Sequence, residues 1–78
     1  MNNGISMYYD GLKDETYWSG VKGVNYQKQI RFGYNTTAGG GIVCFGTSAY
    51  TIQFRITLDG VIKYRSWMND NNAWNGSW

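Results

Sequence analysis

Proline and histidine are both absent from the 78-residue chain, and cysteine occurs once. Without histidine, the commonest metal ligand and the commonest general base at neutral pH are both missing. The lone Cys44 lies in the apolar run GIVCFG. It can close no internal disulfide, and among Ile, Val and Phe it reads as a small buried hydrophobe. Charge is sparse too, seven Lys and Arg against five Asp and Glu, for a net +2. The excess lies in the C-terminal two-thirds, at Lys28, Arg31, Arg55, Lys63 and Arg65, without a dense basic run. Duplex nucleic acid asks for a heavier basic footprint, so no nucleic-acid partner is expected. No apolar stretch approaches the roughly 18 residues of a membrane-crossing helix, so no membrane insertion is expected. The opening MNNGISMYYDG has neither the basic nor the apolar region of a signal peptide.

What the chain has is glycine and rings. Eleven glycines punctuate short runs of Ile, Val, Tyr, Phe and Thr, and aromatic residues make up 18% of the total. That is the pattern of antiparallel β-structure, and 78 residues allow one domain over 1–78. The expected fold is all-β, a small antiparallel sheet or sandwich with short hairpins. Strands are expected at ISMYY (5–9), VNYQKQIRFGY (24–34), GIVCFG (41–46), YTIQFRITL (50–58) and VIKYRSW (61–67). LKDETYW (12–18) has room for one helical turn, and NTTAGGG (35–41) reads as a flexible loop. Asn35-Thr36-Thr37 and Asn75-Gly76-Ser77 match the N-glycosylation triplet, a match that arises by chance in a chain so rich in Asn, Ser and Thr.

The turn after the longest alternating run sets a register. A two-residue Asp59-Gly60 loop would set Phe54 and Ile56 opposite charged residues of the next strand. A three-residue loop, Leu58-Asp59-Gly60, instead pairs Ile56 with Ile62 and Phe54 with Tyr64, with Gly60 in the left-handed position. A one-residue slip moves every side chain to the other face, so the three-residue loop is preferred. It gathers Gln53, Arg55, Lys63, Arg65 and Trp67 on the face away from an Ile/Phe/Tyr core. Such a face is either simply solvated or a polar contact face for a subunit or ligand.

Chemistry has little to stand on. Asp10, Asp59 and Asp70 lie in turn sequences, and Asp14-Glu15 is one pair without a partner motif. No nucleophile elbow, phosphate loop or metal-ligand cluster occurs, so neither an enzyme nor a cofactor is expected. Recognition remains. SWMNDNNAWNGSW (66–78) sets Trp67, Trp74 and Trp78 among Asn69, Asp70, Asn71, Asn72 and Asn75. Flat rings pack on the C–H face of a pyranose, and short amides and carboxylates bond its hydroxyls. Trp67, Asp70, Asn71, Asn72, Trp74 and Trp78 are therefore the candidate ligand-binding residues. Against this stands the reading of the same rings as core or interface anchors.

The run QIRFGYNTT, then YTIQFRITLDGVIKYRSW, then NAWNGSW resembles C-terminal modules of bacteriophage tail fibres and related receptor-binding proteins, the pyocin-knob-like domains nearest among them. The resemblance spans roughly residues 25–78 and rests on the strand from Gln29, the late Tyr64-Arg65 strand and the closing tryptophans. It implies a β-rich tip, a homotrimer, either alone or as a piece of a longer fibre protein. The implied location is the virion or outside a cell, and the implied function is adhesion to a host-surface glycan or protein. The alternatives are a module that only trimerises or caps a fibre, and a monomeric lectin-like domain. RITLDGVIKYRSW with its following tryptophans also resembles the S-locus glycoprotein segment of plant receptor-like kinases, but the cysteines expected after that segment are missing.

Overall fold

Runs rich in β-branched and aromatic residues become strands here, and the Gly- and Asx-rich breaks between them become turns. The computed structural model describes residues 4, 6–23, 29–76 and 78. Within it lie β1 (Ser6–Lys13), α1 (Glu15–Ser19), β2 (Gln29–Asn35), β3 (Gly41–Gly46), β4 (Tyr50–Ile56), β5 (Ile62–Met68) and β6 (Ala73–Gly76). The six strands form one sheet in chain order. Residues 24–28, the first part of the expected second strand, lie outside the described residues.

The sheet is mixed rather than wholly antiparallel. β2 to β6 are joined by short hairpins, but β1 and β2 run parallel, with Met7 opposite Ile30 and Leu12 opposite Tyr34. A parallel pair needs a crossover, and α1 lies in it. Asp14 starts that helix, its carboxylate accepting from the Tyr17 amide at 3.0 Å. The register of β1 slips between Tyr9 and Gly11, a bulge that turns Asp10 toward the helix side, where it meets Tyr17 and Arg31.

The β4–β5 hairpin has the register its faces demand. Ile56 pairs with Ile62 and Phe54 with Tyr64. The Thr57 amide donates to Val61 O at 2.9 Å, the Gly60 amide donates to Thr57 O at 3.0 Å, and Gly60 has φ +86°. Two other stretches correct their expectation. The Asn-rich tail is not all loop, since β6 pairs with β5, Trp74 opposite Trp67. The 35–41 stretch is a hydrogen-bonded turn, because buried Asn35 accepts from the Thr37 and Ala38 amides at 3.0 Å.

The larger correction concerns the two faces of the sheet. Strand alternation is as expected, but inside and outside are exchanged. Thr51, Gln53, Arg55, Arg65 and Trp67 are buried, whereas Ile56, Ile62 and Tyr64 are half or more exposed. The helix side holds the core of Trp18, Val21, Ile42 and Cys44. Trp18 is wholly buried, and its indole N–H donates to Lys13 O at 3.2 Å. A ring of that size removes roughly 150–250 Å² from water, an upper figure on the order of 4–6 kcal/mol. Gly33 makes room for it: a Cβ there would stand 3.0 Å from the ring and collide with Gly11 O. The exchange follows from what a five-residue helix needs. Its last carbonyls are met by the cap that follows, the Gly20 amide on Tyr17 O at 3.0 Å and the Val21 amide on Trp18 O at 3.2 Å, and each can accept a second bond. The Gln53 amide supplies one, donating to Trp18 O at 2.7 Å. A polar strand face can satisfy those groups, and an Ile/Phe/Tyr face cannot. The molecule is accordingly a slab, 35 × 32 × 19 Å, with one sheet and one covered side.

Candidate functional site

Two surfaces compete for the role, and the first is the tryptophan cluster. The β5–β6 hairpin puts Arg65, Trp67 and Trp74 on the helix side, and Trp78 folds back over the same face. The rings and cations form a continuous stack. Lys22 Nζ sits 3.9 Å above the Trp67 ring, and Trp67 meets Trp74 edge-on at 5.5 Å between centroids. The Arg65 guanidinium lies between Trp74 and Trp78, at 4.2 and 4.0 Å, and Arg55 stands 5.3 Å from Trp78 on the next strand. Contacts of this kind contribute about 0.5–2 kcal/mol each, more as water is excluded.

One carboxylate ties the stack to the helix. Glu15 Oε1 accepts from Asn35 Nδ2 at 2.8 Å and from the Trp78 indole at 3.1 Å. Its Oε2 accepts from Ser19 Oγ at 2.7 Å and from Arg65 Nη1 at 2.8 Å. Partial burial pushes the Glu15 carboxyl up, but the four donors outweigh it and hold the group below its ordinary value. Arg65 Nε donates in turn to Gln53 Oε1 at 2.6 Å. Burial lowers the Arg65 pKa, with Glu15 opposing that shift. Asp10 and Asp59 also hold structure. Asp10 receives the Tyr17 hydroxyl at 2.7 Å and Arg31 Nε at 2.9 Å, and Asp59 receives the Thr57 hydroxyl. Burial pushes the Cys44 thiol up to about 12.

The candidate residues therefore divide. Trp67, Trp74, Trp78, Gln53, Arg55 and Arg65 come together, with Trp67 6% exposed and the Trp74 indole donating to Ser19 O at 3.2 Å. Lys63, on the same side of β5, is half-buried. Asp70, Asn71 and Asn72 stand apart, exposed at the β5–β6 turn, where Asn72 takes φ 51°. Sequence reasoning missed Glu15, Asn35 and Lys22. The one available signal was Arg65 and Trp67 two residues apart on a strand, with Trp74 set to pair across a four-residue turn.

The second surface is the uncovered face of the sheet. Met7, Tyr9 and Leu12 of β1 begin it, Val43 and Phe45 of β3 continue it, and Tyr50, Phe54, Ile56, Ile62, Tyr64 and Met68 of β4 and β5 extend it. Exposure runs from 37% at Phe54 to 71% at Leu12. The described strand residues on this face carry no charge. Side chains of this kind present about 150–250 Å² each when ring-sized, so their bare part totals on the order of 1,000 Å². The largest apolar patch of an ordinary monomer is about 300–600 Å². The Ile, Phe and Tyr residues of β4 and β5 in this patch were expected to be core; they are instead part of the surface with the most to gain from a partner. No protein-family model, curated protein or solved structure matches the chain.

Proposed function

We propose that the domain is a non-enzymatic interaction module that builds a larger assembly through the open face of its sheet. The observation that carries this reading is the apolar face spanning β1 to β5, whose described strand residues carry no charge. Covering it with protein removes far more apolar surface from water than any contact available to the helix side, where Gln53, Arg65 and Glu15 already bond one another or the helix. Phe54→Lys tests the reading. It places a charge at mid-face without touching the core, so binding of a hydrophobic dye by the isolated chain, or capture by its assembly, should be lost while the fold persists. Retention of both defeats the proposal.

The likeness to phage fibre tips makes the assembly an extracellular or virion-borne fibre end, with host-surface adhesion as its task; a homotrimer there would turn all three open faces toward one axis. In that setting a glycan would meet the exposed Asp70–Asn72 turn and the free part of Trp74. Trp67 contributes less to such a site, since Lys22 and Trp74 already cover its ring. Titration with cell-wall or capsular sugars while tryptophan emission is followed tests adhesion. A response abolished by Asp70→Ala and Asn71→Ala supports it, and an emission no sugar perturbs removes it.

A further inference from the structure

Resting on the interaction-module reading, we infer that the occupant of the open sheet face is the same face of another copy of this chain. Three properties of the face favour a copy over an unrelated partner. It is free of charge among the described strand residues, so turning it on itself meets no like-charge repulsion. The polar groups it presents are hydroxyls and amides such as those of Tyr50, Tyr64, Ser66 and Asn75, which donate and accept alike and so can pair with their own kind. Its area, on the order of 1,000 Å² per copy, meets the roughly 800 Å² per partner of a stable specific interface.

The shape agrees. A sheet with one covered side packs its free side on another sheet about 10 Å away, the spacing of sandwich cores. Phe45 and Phe54 lie across neighbouring strands at 6.1 Å between centroids and only 28° between planes, which makes a flat ridge at mid-face. Tyr64 stands opposite Phe54 and extends the ridge to β5. The cations Arg55, Lys63 and Arg65 all lie on the opposite side, on the same strands, so close approach of two open faces does not bring them together. The pattern also accounts for the exchange of faces. Each copy keeps its polar face for its own helix and offers its Ile/Phe/Tyr face to its neighbours.

Mass measurement by sedimentation, over concentrations up to about 1 mM, tests the inference. The wild-type chain should show a multiple of 8.9 kDa that falls to the single value on dilution. Phe54→Lys and Ile62→Lys each bury an uncompensated charge in the contact, and each should weaken association at least about a hundredfold while leaving the circular dichroism unchanged. Thr16→Lys, on the exposed side of α1, should associate like the wild type. Two positions on the face are used so that one misfolded variant leaves the other decisive. Association that survives both face variants, or that Thr16→Lys abolishes, overturns the face assignment. A wild-type monomer at every concentration overturns self-association. If that monomer binds a hydrophobic dye that Phe54→Lys removes, the face serves a different partner and the interaction-module reading stands. If it binds no dye, that reading falls as well.

Discussion

Single side chains decide whether the tryptophan stack holds, and Glu15 matters most among them. Its carboxyl is held below its ordinary value of 4.5 in the folded chain, so the stabilisation is fully present above that pH. It is lost as the pH falls through the depressed folded value, because protonation then removes the acceptor for Arg65. Glu15→Gln should lower stability at neutral pH by about 1–3 kcal/mol, the range for bonds to charged groups. It should also flatten the acid limb of the stability curve, measured by urea unfolding from pH 7 down to about pH 3. Trp74→Ala removes one side of the Arg65 sandwich, and should cost about 2–3 kcal/mol, less than for a fully buried ring because Trp74 is half-exposed. Unfolding free energy is the measurement there, and an unchanged value would make the stack ornamental. Cys44, with its thiol pushed up to about 12 by burial, should resist iodoacetamide at pH 8 in the folded chain and react at once in denaturant.

At the level of elements, the β4–β5 hairpin is the piece whose sequence most nearly dictates its geometry. Perfect alternation in YTIQFRI and a Gly at the third loop position leave one register that matches apolar to apolar, and that register is found. Gly60→Ala meets no neighbouring atom within 4 Å, so its cost is purely that of a Cβ at φ +86°, about 1 kcal/mol in chemical denaturation. Gly60→Asn should cost less, since Asn tolerates the left-handed region. Other elements were less legible. β6 was hidden because AWNG has little strand propensity of its own; the neighbouring β5 edge and the four-residue turn supply the pairing. The parallel β1–β2 pair was hidden for a related reason. Parallel pairing joins segments separated by a crossover, and no local residue pattern records which segments meet.

On the scale of the whole molecule, the chain is a slab with one bare apolar side. If copies cover that side, stability must depend on concentration by mass action. Tenfold dilution should therefore lower the melting temperature by a few degrees for the wild type and leave Phe54→Lys unmoved, as followed by circular dichroism. A thermal midpoint independent of concentration in both would place the stabilising contacts wholly within one chain.

Some of this was settled by the order of residues alone. The β-rich class, the membership of the β4 and β5 faces, the Gly60 turn and the burial of Cys44 all follow from local alternation and from backbone rules that act over a few residues. Alternation says which side chains travel together; it does not say which company faces inward. That choice goes with α1, whose Trp18 carbonyl and Glu15 carboxylate take bonds from Gln53, Asn35 and Arg65 on the strands beneath it. Hydrogen bonds between residues dozens of positions apart thus turned the polar face to the helix and left the apolar one open. Such pairings exist only once the chain has folded, and that is why the tertiary structure, not the sequence pattern, decided which face of the sheet is covered.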